Sequence, residues 1–419
     1  MTVLETIYTA GFSSYFHGLG AIDSWLGFET ETFVHILTDA GTADLARLFE
    51  DLRYPGIDLA DAALDGYGDK NETWYFRCAD SFNDNRPSFN LLEFYRDCKT
   101  RVFYDPRGIY PLLAGIRDSI RKPQKINIET EINPLELFRQ GINLSFDRTR
   151  SSMDAALILA KYFSPDLGAE KYIDEIAKLF INLRESSPVK QEEQRIFLCS
   201  LLTSANPGLG FELLKKSGFI AEYWPELAIL EQADHSKEFH PEGNAWEHTM
   251  ETFRHRKTAF HRKASFHKKI STNRKTCDIR LSLGLLLHDA GKPIAVSDGR
   301  RRFDGHAELG EIQARRLLER LGFDAAIIRD VCFLVRNHML PAALPRLPLY
   351  RTEEIMASPL FPLLLELYRC DESSSFKGLD GYYESSAAYQ SFLRNRRNPY
   401  RSADGKKLNN RQISGTAKV

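Results

Sequence analysis

The 419-residue sequence lacks several features that would define a class of protein. Its six cysteines form no Cys-x-x-Cys pair, which argues against a zinc site or a disulfide frame and favours reduced thiols in the cytoplasm. No basic segment followed by an apolar core begins the chain, so we expect no secretory signal. No apolar run reaches the ~18 residues of a membrane helix, so we expect no membrane partner. The net charge of −1 excludes a uniformly basic surface, so any nucleic-acid site must be a local patch.

The N-terminal part of the chain mixes two kinds of pattern. Residues 33–37 and 99–104 are rich in β-branched and aromatic side chains and predict strands, whereas residues 43–52 have helical spacing. Residues 1–125 are therefore expected to form an α/β or α+β domain. Three acidic residues at helical spacing are expected to form a solvated helix face: Asp58, Asp61 and Asp65.

From about residue 126 the strand pattern disappears. Residues 126–235 carry successive amphipathic helical patterns, and Asn133 followed by Pro134 predicts the start of a helix. Residues 236–380 form a second helical unit that holds most of the histidines, and residues 381–419 form a polar, basic and partly irregular tail. The predicted fold class is multidomain and mainly α, with an α/β (α+β) head.

One stretch of the second helical unit combines strongly apolar and polar residues. The apolar run that starts at Leu281 leads directly into His288 and Asp289, and Gly291 then ends the helix. Burying an imidazole and a carboxylate side by side costs several kcal/mol unless a partner satisfies them. A bound cation would be such a partner.

Further candidate ligands lie at helix ends or in an early helical turn: His248, His306, His338 and Asp371. Helix ends that converge in a bundle core are where bundles build metal sites. Imidazole and carboxylate ligands suit one or two ions of Mn, Fe, Co, Ni or Zn better than Mg. A single histidine at a helix end is more often a structural residue. The histidines of the basic run are expected to be solvated: His255, His261 and His267.

This ordered set of histidines and aspartates resembles the HD superfamily of metal-dependent phosphohydrolases. Four segments resemble more specifically the HD domain of bacterial class II tRNA nucleotidyltransferases, the CCA-adding and poly(A)-adding enzymes: residues 239–249, 287–293, 303–310 and 369–371. The resemblance implies a nucleotidyltransferase-like head over 1–125, a helical neck and body over 126–235 that binds RNA, and an HD domain over 236–380.

The resemblance also implies roles for individual side chains. A first metal would be held by four residues: His248, His288, Asp289 and Asp371. His306 and His338 would complete a second metal position or contact the substrate phosphate. Asp289 would be catalytic. Lys292, four residues beyond His288, would stabilise phosphoryl charge, and Arg301 and Arg302 are further phosphate-binding candidates on the following loop.

The head of the resembled enzymes needs residues that this sequence does not have. The two carboxylate positions that should bind magnesium hold Phe33 and His35, and the arginine of the first turn is replaced near Ile22. The later Arg-Arg-Asp-Phe-Thr-x-Asn-Ala motif of those enzymes appears here as Asn-Arg-Pro-Ser-Phe-Asn-Leu over residues 85–91. Glu136 stands where their base-reading motif should have arginine. Phenylalanine offers no ligand atom to a hard cation. We therefore expect a head without nucleotidyltransferase activity.

Residues 254–269 are strongly basic and include Phe260 and Phe266. Contact with a phosphate backbone together with base stacking is one interpretation, and a solvated insertion is the other. The candidate contacts are Arg256, Lys257, Arg262 and Lys263. The basic residues of 394–407 allow the same two interpretations.

The preferred hypothesis is a metal-dependent phosphohydrolase that acts on a nucleotide phosphate, a cyclic phosphate or an RNA end. The two alternatives are an active tRNA or poly(A) nucleotidyltransferase and a non-catalytic RNA-binding homologue. All three expect a nucleotide or a tRNA-like RNA as partner. Nothing in the sequence specifies an oligomeric state.

Overall fold

The computed structural model describes residues 2–28, 33–66, 72–78, 92–121, 133–141, 147–164, 168–181, 183, 188–233, 243–256, 278–295, 303–375, 378–396 and 406. These residues divide into two compact units, the first ending at Tyr223 and the second beginning at Trp224. Among the helices of these ranges, none combines the length and the apolar character needed to cross a bilayer.

The first unit begins with a six-stranded sheet in the order β3-β4-β2-β1-β5-β6. Only β2 and β4 run parallel; the other neighbours are antiparallel. The strands are β1 Ser14–His17, β2 Phe33–Thr38, β3 Ala62–Asp65, β4 Thr73–Arg77, β5 Tyr95–Asp97 and β6 Phe103–Tyr104. The helices beside them are α1 Val3–Thr9, α2 Leu19–Leu26, α3 Thr42–Leu48 and α4 Tyr110–Arg121.

Strand β2 shows why this sequence forms a sheet at this place. Successive side chains of a strand point to opposite faces, and along β2 the residues alternate between half-buried and fully buried positions. Val34 and Ile36 are buried on one face. Phe33 and His35 lie on the other face, where His35 is opposite Tyr75 of β4. The two positions expected to carry metal-binding carboxylates are therefore neighbours on one face of β2.

The remainder of the first unit is helical. Its helices are α5 Pro134–Gly141, α6 Arg148–Tyr162, α7 Ile173–Phe180, α8 Gln191–Thr203, α9 Pro207–Lys216 and α10 Phe219–Tyr223, with a 3-10 helix at Ala169–Tyr172. Helix α6 is buried over most of its length. Gly210 lets α9 approach it closely, since a Cβ there would lie 2.8 Å from the Ala156 carbonyl oxygen.

The second unit is helical throughout the described ranges. Its α-helices are α11 Pro225–Ala228, α12 Ala245–Arg254, α13 Ile279–Leu287, α14 His306–Arg320, α15 Ala325–Asn337, α16 Leu340–Ala343, α17 Glu353–Ala357, α18 Phe361–Ser373 and α19 Asp380–Arg396. Its 3-10 helices are Ile229–Gln232, Lys292–Ile294, Leu344–Arg346 and Leu349–Arg351. Every residue from Leu281 to Leu287 of α13 is buried, so this helix lies at the centre of the unit.

The structure confirms the fold class and corrects several local predictions. Helix α3 ends at Leu48, before the predicted end at 52. The strand predicted over 99–104 is wrong except for β6, because a turn precedes it and Arg101 has a positive φ of 62°. Within the tail that was predicted to be partly irregular, residues 381–396 belong to the 17-residue helix α19. The proposed head, neck and HD boundaries stay predictions.

The predicted acidic helix face is also wrong. Residues Ala62–Asp65 form strand β3, so the three aspartates do not share a helix. Asp65 pairs with Arg53, Asp58 lies 3.2 Å from the Arg150 guanidinium, and Asp61 accepts a hydrogen bond from the Cys78 amide. Helical spacing arose here by chance, and each carboxylate has its own structural partner.

Candidate metal centre

Five helices of the second unit deliver polar side chains to one buried point. His248 lies in the second turn of α12, which begins at the Asn244 capping box as predicted. His288 and Asp289 follow the last residue of α13. The remaining candidates come from the start of α14, the end of α15 and the last turn of α18: His306, His338 and Asp371.

The first half of this cluster consists of His248, His288 and the two carboxylates. The His248 Nε2 atom lies 2.9 Å from Asp371 Oδ1 and 3.9 Å from Asp289 Oδ2. His288 Nε2 lies 3.4 Å from Asp289 Oδ2 and 3.8 Å from Asp371 Oδ1. The ligand atoms of His248, His288 and Asp289 lie within 4.8 Å of one another, which allows these three to bind a common ion, and Asp371 borders the two histidines.

The second half of the cluster uses the other oxygen of the same aspartate. His306 Nε2 and His338 Nε2 each lie 3.9 Å from Asp289 Oδ1, and they lie 3.1 Å from each other. Asp289 is 1% exposed and faces both halves. One carboxylate can therefore bridge two adjacent cation positions, one on each oxygen.

Hydrogen bonds to the backbone fix the tautomers of three of the histidines. His288 Nδ1 lies 2.9 Å from the Leu285 carbonyl oxygen. His306 Nδ1 lies 2.7 Å from the Phe303 carbonyl oxygen, and His338 Nδ1 lies 2.7 Å from the Val335 carbonyl oxygen. A carbonyl only accepts, so each Nδ1 must donate. In the neutral ring the proton is then on Nδ1, and Nε2 presents a lone pair to the cluster.

His248 is held by a hydroxyl group instead of a carbonyl. The Ser374 Oγ donates to the Asp371 carbonyl oxygen at 2.6 Å and lies 3.3 Å from His248 Nδ1. Since its single proton is used, the hydroxyl accepts from His248 Nδ1. All four imidazoles thus direct Nε2 inward, which is the arrangement that outer hydrogen bonds give to metal ligands.

The arrangement fits a bound cation better than it fits hydrogen bonding alone. The Nε2 atoms of His306 and His338 are both lone-pair acceptors in this tautomer, yet they lie 3.1 Å apart. The buried His288 Nε2 has no hydrogen-bond partner among the described residues. Lys292 Nζ forms an ion pair with Asp289 Oδ2 at 2.6 Å, but it does not satisfy the imidazole lone pairs. A divalent ion among these atoms would satisfy the converging lone pairs.

The protonation of these groups also suits metal ligation. Burial would raise the pKa of Asp289, but the neighbouring His288 and Lys292 hold it well below its usual value. Burial likewise opposes ionisation of Asp371, and the adjacent imidazoles of His248 and His288 lower its pKa. Burial lowers the pKa of His338 to about 4. Both carboxylates are therefore ionised and His338 is neutral at pH 7, which are the forms that bind metal.

Gly291, which the sequence predicted as a helix end, and Gly310 together allow the helices to meet at the site. A Cβ on Gly291 would overlap the His306 carbonyl oxygen and the Gly310 amide nitrogen. A Cβ on Gly310 would lie 3.2 Å from Val335 Cγ1 and 3.3 Å from the Gly291 amide nitrogen. The sequence did contain signals for these residues. Gly310 follows His306 by about one helical turn, and Ser374, which contacts His248, follows soon after Asp371.

The predicted phosphate-binding and RNA-binding residues have different outcomes. Lys292 lies at the cluster, and its ammonium is 5.9 Å from the centre of the Phe303 ring. Arg256 does not fit the prediction: its guanidinium is buried, bonded to Ser282 Oγ at 2.7 Å and packed near Phe253, so it cannot reach a polyanion. The other four lie outside the described residues: Lys257, Arg262, Lys263 and Arg301.

Comparison with known proteins agrees with this geometry. The HD domain model matches residues 261–362, which include His288, Asp289, His306 and His338. A CC-adding tRNA nucleotidyltransferase from Thermus thermophilus is 29% identical over 248 residues, 58% of this chain and 51% of the relative. The chain is therefore similar to a tRNA nucleotidyltransferase over part of its length, and it carries an HD domain. The family resemblance inferred from the motifs is thereby confirmed.

Other similarities within the tRNA nucleotidyltransferase family cover less or are weaker. The Multifunctional CCA protein of Halorhodospira halophila is 32% identical over 139 residues, 33% of this chain and 29% of that protein. The chain thus spans about half of the first curated relative and less than a third of the second. The Bacillus stearothermophilus CCA-adding enzyme, solved with CTP, aligns with 99% of this chain and 86% of its own at 15% identity and a TM-score of 0.43.

The expected nucleotidyltransferase positions lie in the first unit. Phe33 and His35 are adjacent on one face of β2, Ile22 is buried in α2, and Glu136 is in the first turn of α5. Residues 85–91 lie outside the described residues. Neither Phe33 nor His35 provides the carboxylate that a pair of magnesium ions would need.

Proposed function

We propose that this chain is a metal-dependent phosphohydrolase of the HD class on a tRNA-nucleotidyltransferase-like scaffold, acting in the cytoplasm with an inactive head. One observation supports this proposal above the others: four inward-facing Nε2 atoms and two ionised carboxylates converge on a buried point. These are nitrogen and oxygen donors suited to Mn, Fe, Co, Ni or Zn, with Mg less favoured.

The residues divide naturally between two positions. The first ion would be held by His248, His288, Asp289 and Asp371. His306 and His338, with the second oxygen of Asp289, would hold a second ion or contact the substrate phosphate. When bound, such an ion supplies a Lewis acid and lowers the pKa of a coordinated water.

Asp289 and Lys292 would do different work in the reaction. Asp289 keeps its negative charge in a buried place and orients the ligand set from both of its oxygens. Lys292 carries its ammonium to the same carboxylate from the one-turn 3-10 helix after Gly291. A substrate phosphate that binds here would replace Asp289 as the anionic partner of Lys292. The ammonium would then stabilise the charge of the phosphoryl oxygens.

The proposed substrates are nucleotide monophosphates, 2′,3′-cyclic phosphates and phosphorylated RNA ends. Similarity to a CC-adding tRNA nucleotidyltransferase supports a nucleotide or tRNA-like partner.

An assay of wild type against Asp289→Asn tests the proposal. The wild type, supplied separately with each divalent metal, should hydrolyse at least one of these substrate classes. Asp289→Asn should lower the rate of hydrolysis at least about 10³-fold, because it removes a ligand that both metal positions share. Asp304→Asn is the matched control, since Asp304 is exposed and only two residues before His306. Equal rates in wild type and Asp289→Asn would overturn the proposal.

The names of the relatives also favour a second candidate, an active CCA-adding or poly(A)-adding nucleotidyltransferase. The presence of Phe33 and His35 in place of carboxylates opposes it. Incorporation of labelled CTP or ATP onto tRNA lacking its 3′ end tests this candidate, and robust incorporation would overturn the proposal that the head is inactive. Salt-sensitive tRNA binding without either activity would instead favour a non-catalytic RNA-binding homologue.

A further inference from the structure

Arg369 is a buried arginine of α18 that lies two residues before the candidate ligand Asp371. The residue is 9% exposed. The family resemblance assigned a role to Asp371 and none to Arg369. An arginine is almost never buried unless its charge is paired, so the partners of this guanidinium indicate what it does.

One partner of Arg369 holds the guanidinium in a fixed orientation on its own helix. Arg369 Nε donates to Glu366 Oε2 at 2.9 Å, and Arg369 Nη2 donates to Glu366 Oε1 at 2.7 Å. Two parallel hydrogen bonds between a guanidinium and a carboxylate fix the geometry of both groups and neutralise the charge. The Arg369 side chain is therefore a rigid part of the α18 surface.

The second partner of Arg369 belongs to another helix. Arg369 Nη2 also donates to the His255 carbonyl oxygen at 2.6 Å. His255 is the C-terminal cap of α12, and the last carbonyl groups of a helix have no partner within their own helix. Arg369 supplies the missing donor, so it ties the end of α12 to α18.

Helices α12 and α18 carry two ligands that meet at the first metal position. His248 of α12 and Asp371 of α18 lie 2.9 Å apart, and Ser374 Oγ lies 3.3 Å from His248 Nδ1. Along α18, Asp371 thus lies between two residues that contact α12: Arg369 before it and Ser374 after it. Contacts on both sides of Asp371 limit the sliding and the rotation of α18 against α12.

We propose that Arg369 is a positioning residue of the first metal position. By fixing α12 against α18, it keeps His248 and Asp371 at the separation that a shared ion requires, and it does not contact the ion itself. This inference rests on the metal centre of the proposed function. The contact does not involve α14 or α15, which carry His306 and His338.

Titration of the metal-free full chain with Co²⁺, in competition with a chelator, tests the proposal. Arg369→Met should weaken Co²⁺ binding about 10–100-fold, as the loss of an outer contact that orients a ligand does, and should change the visible absorption of the bound ion. Arg369→Lys keeps the charge but lacks the fork that contacts Glu366 and His255 together. It should show a smaller loss, and it keeps the test available if Arg369→Met does not fold. Wild-type affinity and absorption in the folded variants would overturn the proposal.

A double-mutant cycle shows whether Arg369 acts through the ligand on its own helix. Arg369→Met is combined with Asp371→Ala, which removes the ligand that α18 supplies. If Arg369 positions Asp371, its removal should matter less once Asp371 is absent, so the two losses of Co²⁺ affinity should be less than additive. Additive losses would mean that Arg369 stabilises the unit without positioning the ligand, and would overturn the proposal.

Arg320→Met is the control for a general loss of stability. Arg320 Nη2 lies 2.6 Å from Oε2 of the buried Glu226, at the end of α14 opposite His306. This variant should lower the stability in urea and leave the Co²⁺ affinity of the folded protein unchanged. If it weakened Co²⁺ binding as much as Arg369→Met, the proposal would be wrong. A wild type that bound no Co²⁺ would overturn the metal centre itself, whereas unchanged binding in Arg369→Met overturns this inference alone.

Discussion

The two units each bury a cluster of charged side chains, and they neutralise the charge in different ways. In the first unit, Arg150 lies 3.0 Å from Asp147 and 2.8 Å from Glu193, with the partly exposed Asp58 at 3.2 Å. In the second unit, Asp289 and Asp371 meet four imidazoles and a single ammonium, that of Lys292.

The difference separates a structural cluster from a ligand site. A guanidinium occupies the centre of the first cluster and donates to the surrounding carboxylates, so that cluster is complete within the chain. The second cluster has acceptors at its centre: His306 and His338 present lone pairs to each other, and His288 Nε2 has no hydrogen-bond partner among the described residues. Buried imidazole acceptors that face one another with no donor between them mark the place where a cation is needed.

The largest effect is expected from a variant that removes the Arg150 guanidinium at the centre of the first unit's cluster. Arg150→Met should lower the free energy of unfolding by about 3–5 kcal/mol, because Glu193 and Asp147 would stay buried without their cation. Urea unfolding measures the loss. Arg47→Met is the control: the Arg47 side chain is 77% exposed and pairs with Asp44 on the surface, so we expect a loss under about 1 kcal/mol.

A compensating variant sharpens this prediction. Arg150→Met combined with Glu193→Met removes the most closely paired charges together and should recover part of the stability. If the single and double variants were equally unstable, the cost would come from lost packing and not from an uncompensated carboxylate.

A smaller effect is expected from the hydroxyl that holds His248. Ser374→Ala removes the acceptor of His248 Nδ1, and loss of such an outer hydrogen bond lowers metal affinity about 10–100-fold. Chelator competition measures that affinity. Ser373→Ala is a matched control, because Ser373 Oγ donates to the Arg369 carbonyl in the same helix without contacting a ligand. Equal affinities in the two variants would remove Ser374 from the site.

The last expected effect is a pH dependence of the metal-free protein. Burial lowers the pKa of His338 to about 4, whereas an unfolded histidine titrates near 6.5. Between these values the unfolded state binds the additional proton, so stability falls as the pH falls, by about 1.4 kcal/mol per pH unit for this group.

Urea unfolding between pH 7.5 and 4.5 tests the contribution of His338. His338→Gln should reduce the slope by one proton, although His306, whose pKa is also lowered by burial, still contributes. An identical slope in His338→Gln and the wild type would contradict the assignment of the neutral form.

The sequence predicted the site better than it predicted the charges around it. His288 and Asp289 end an apolar helix, and their partners sit at helix ends, so local patterns sufficed to nominate all six side chains. Arg256 was misassigned because a basic run does not reveal which of its members turns inward toward Ser282. The pairing of Asp58 with Arg150 joins residues 92 positions apart, and no local pattern encodes it.

The fold shows the same division between local and distant information. The Asn244 capping box and the Asn133-Pro134 helix start were predictable because a few adjacent residues determine them. The contact of Gly291 with Gly310 depends on how α14 packs beside the end of α13, and the sequence gives no direct measure of that distance.

Metal analysis of the purified full-length protein tests the central claim most directly. After equilibration with each divalent metal in turn and removal of excess, the wild type should retain one or two ions per chain. Asp289→Asn should retain fewer, while Arg47→Met should match the wild type. If the folded wild type retained no ion of Mn, Fe, Co, Ni or Zn, or if Asp289→Asn retained the same number, the buried cluster of the second unit would not be a metal centre.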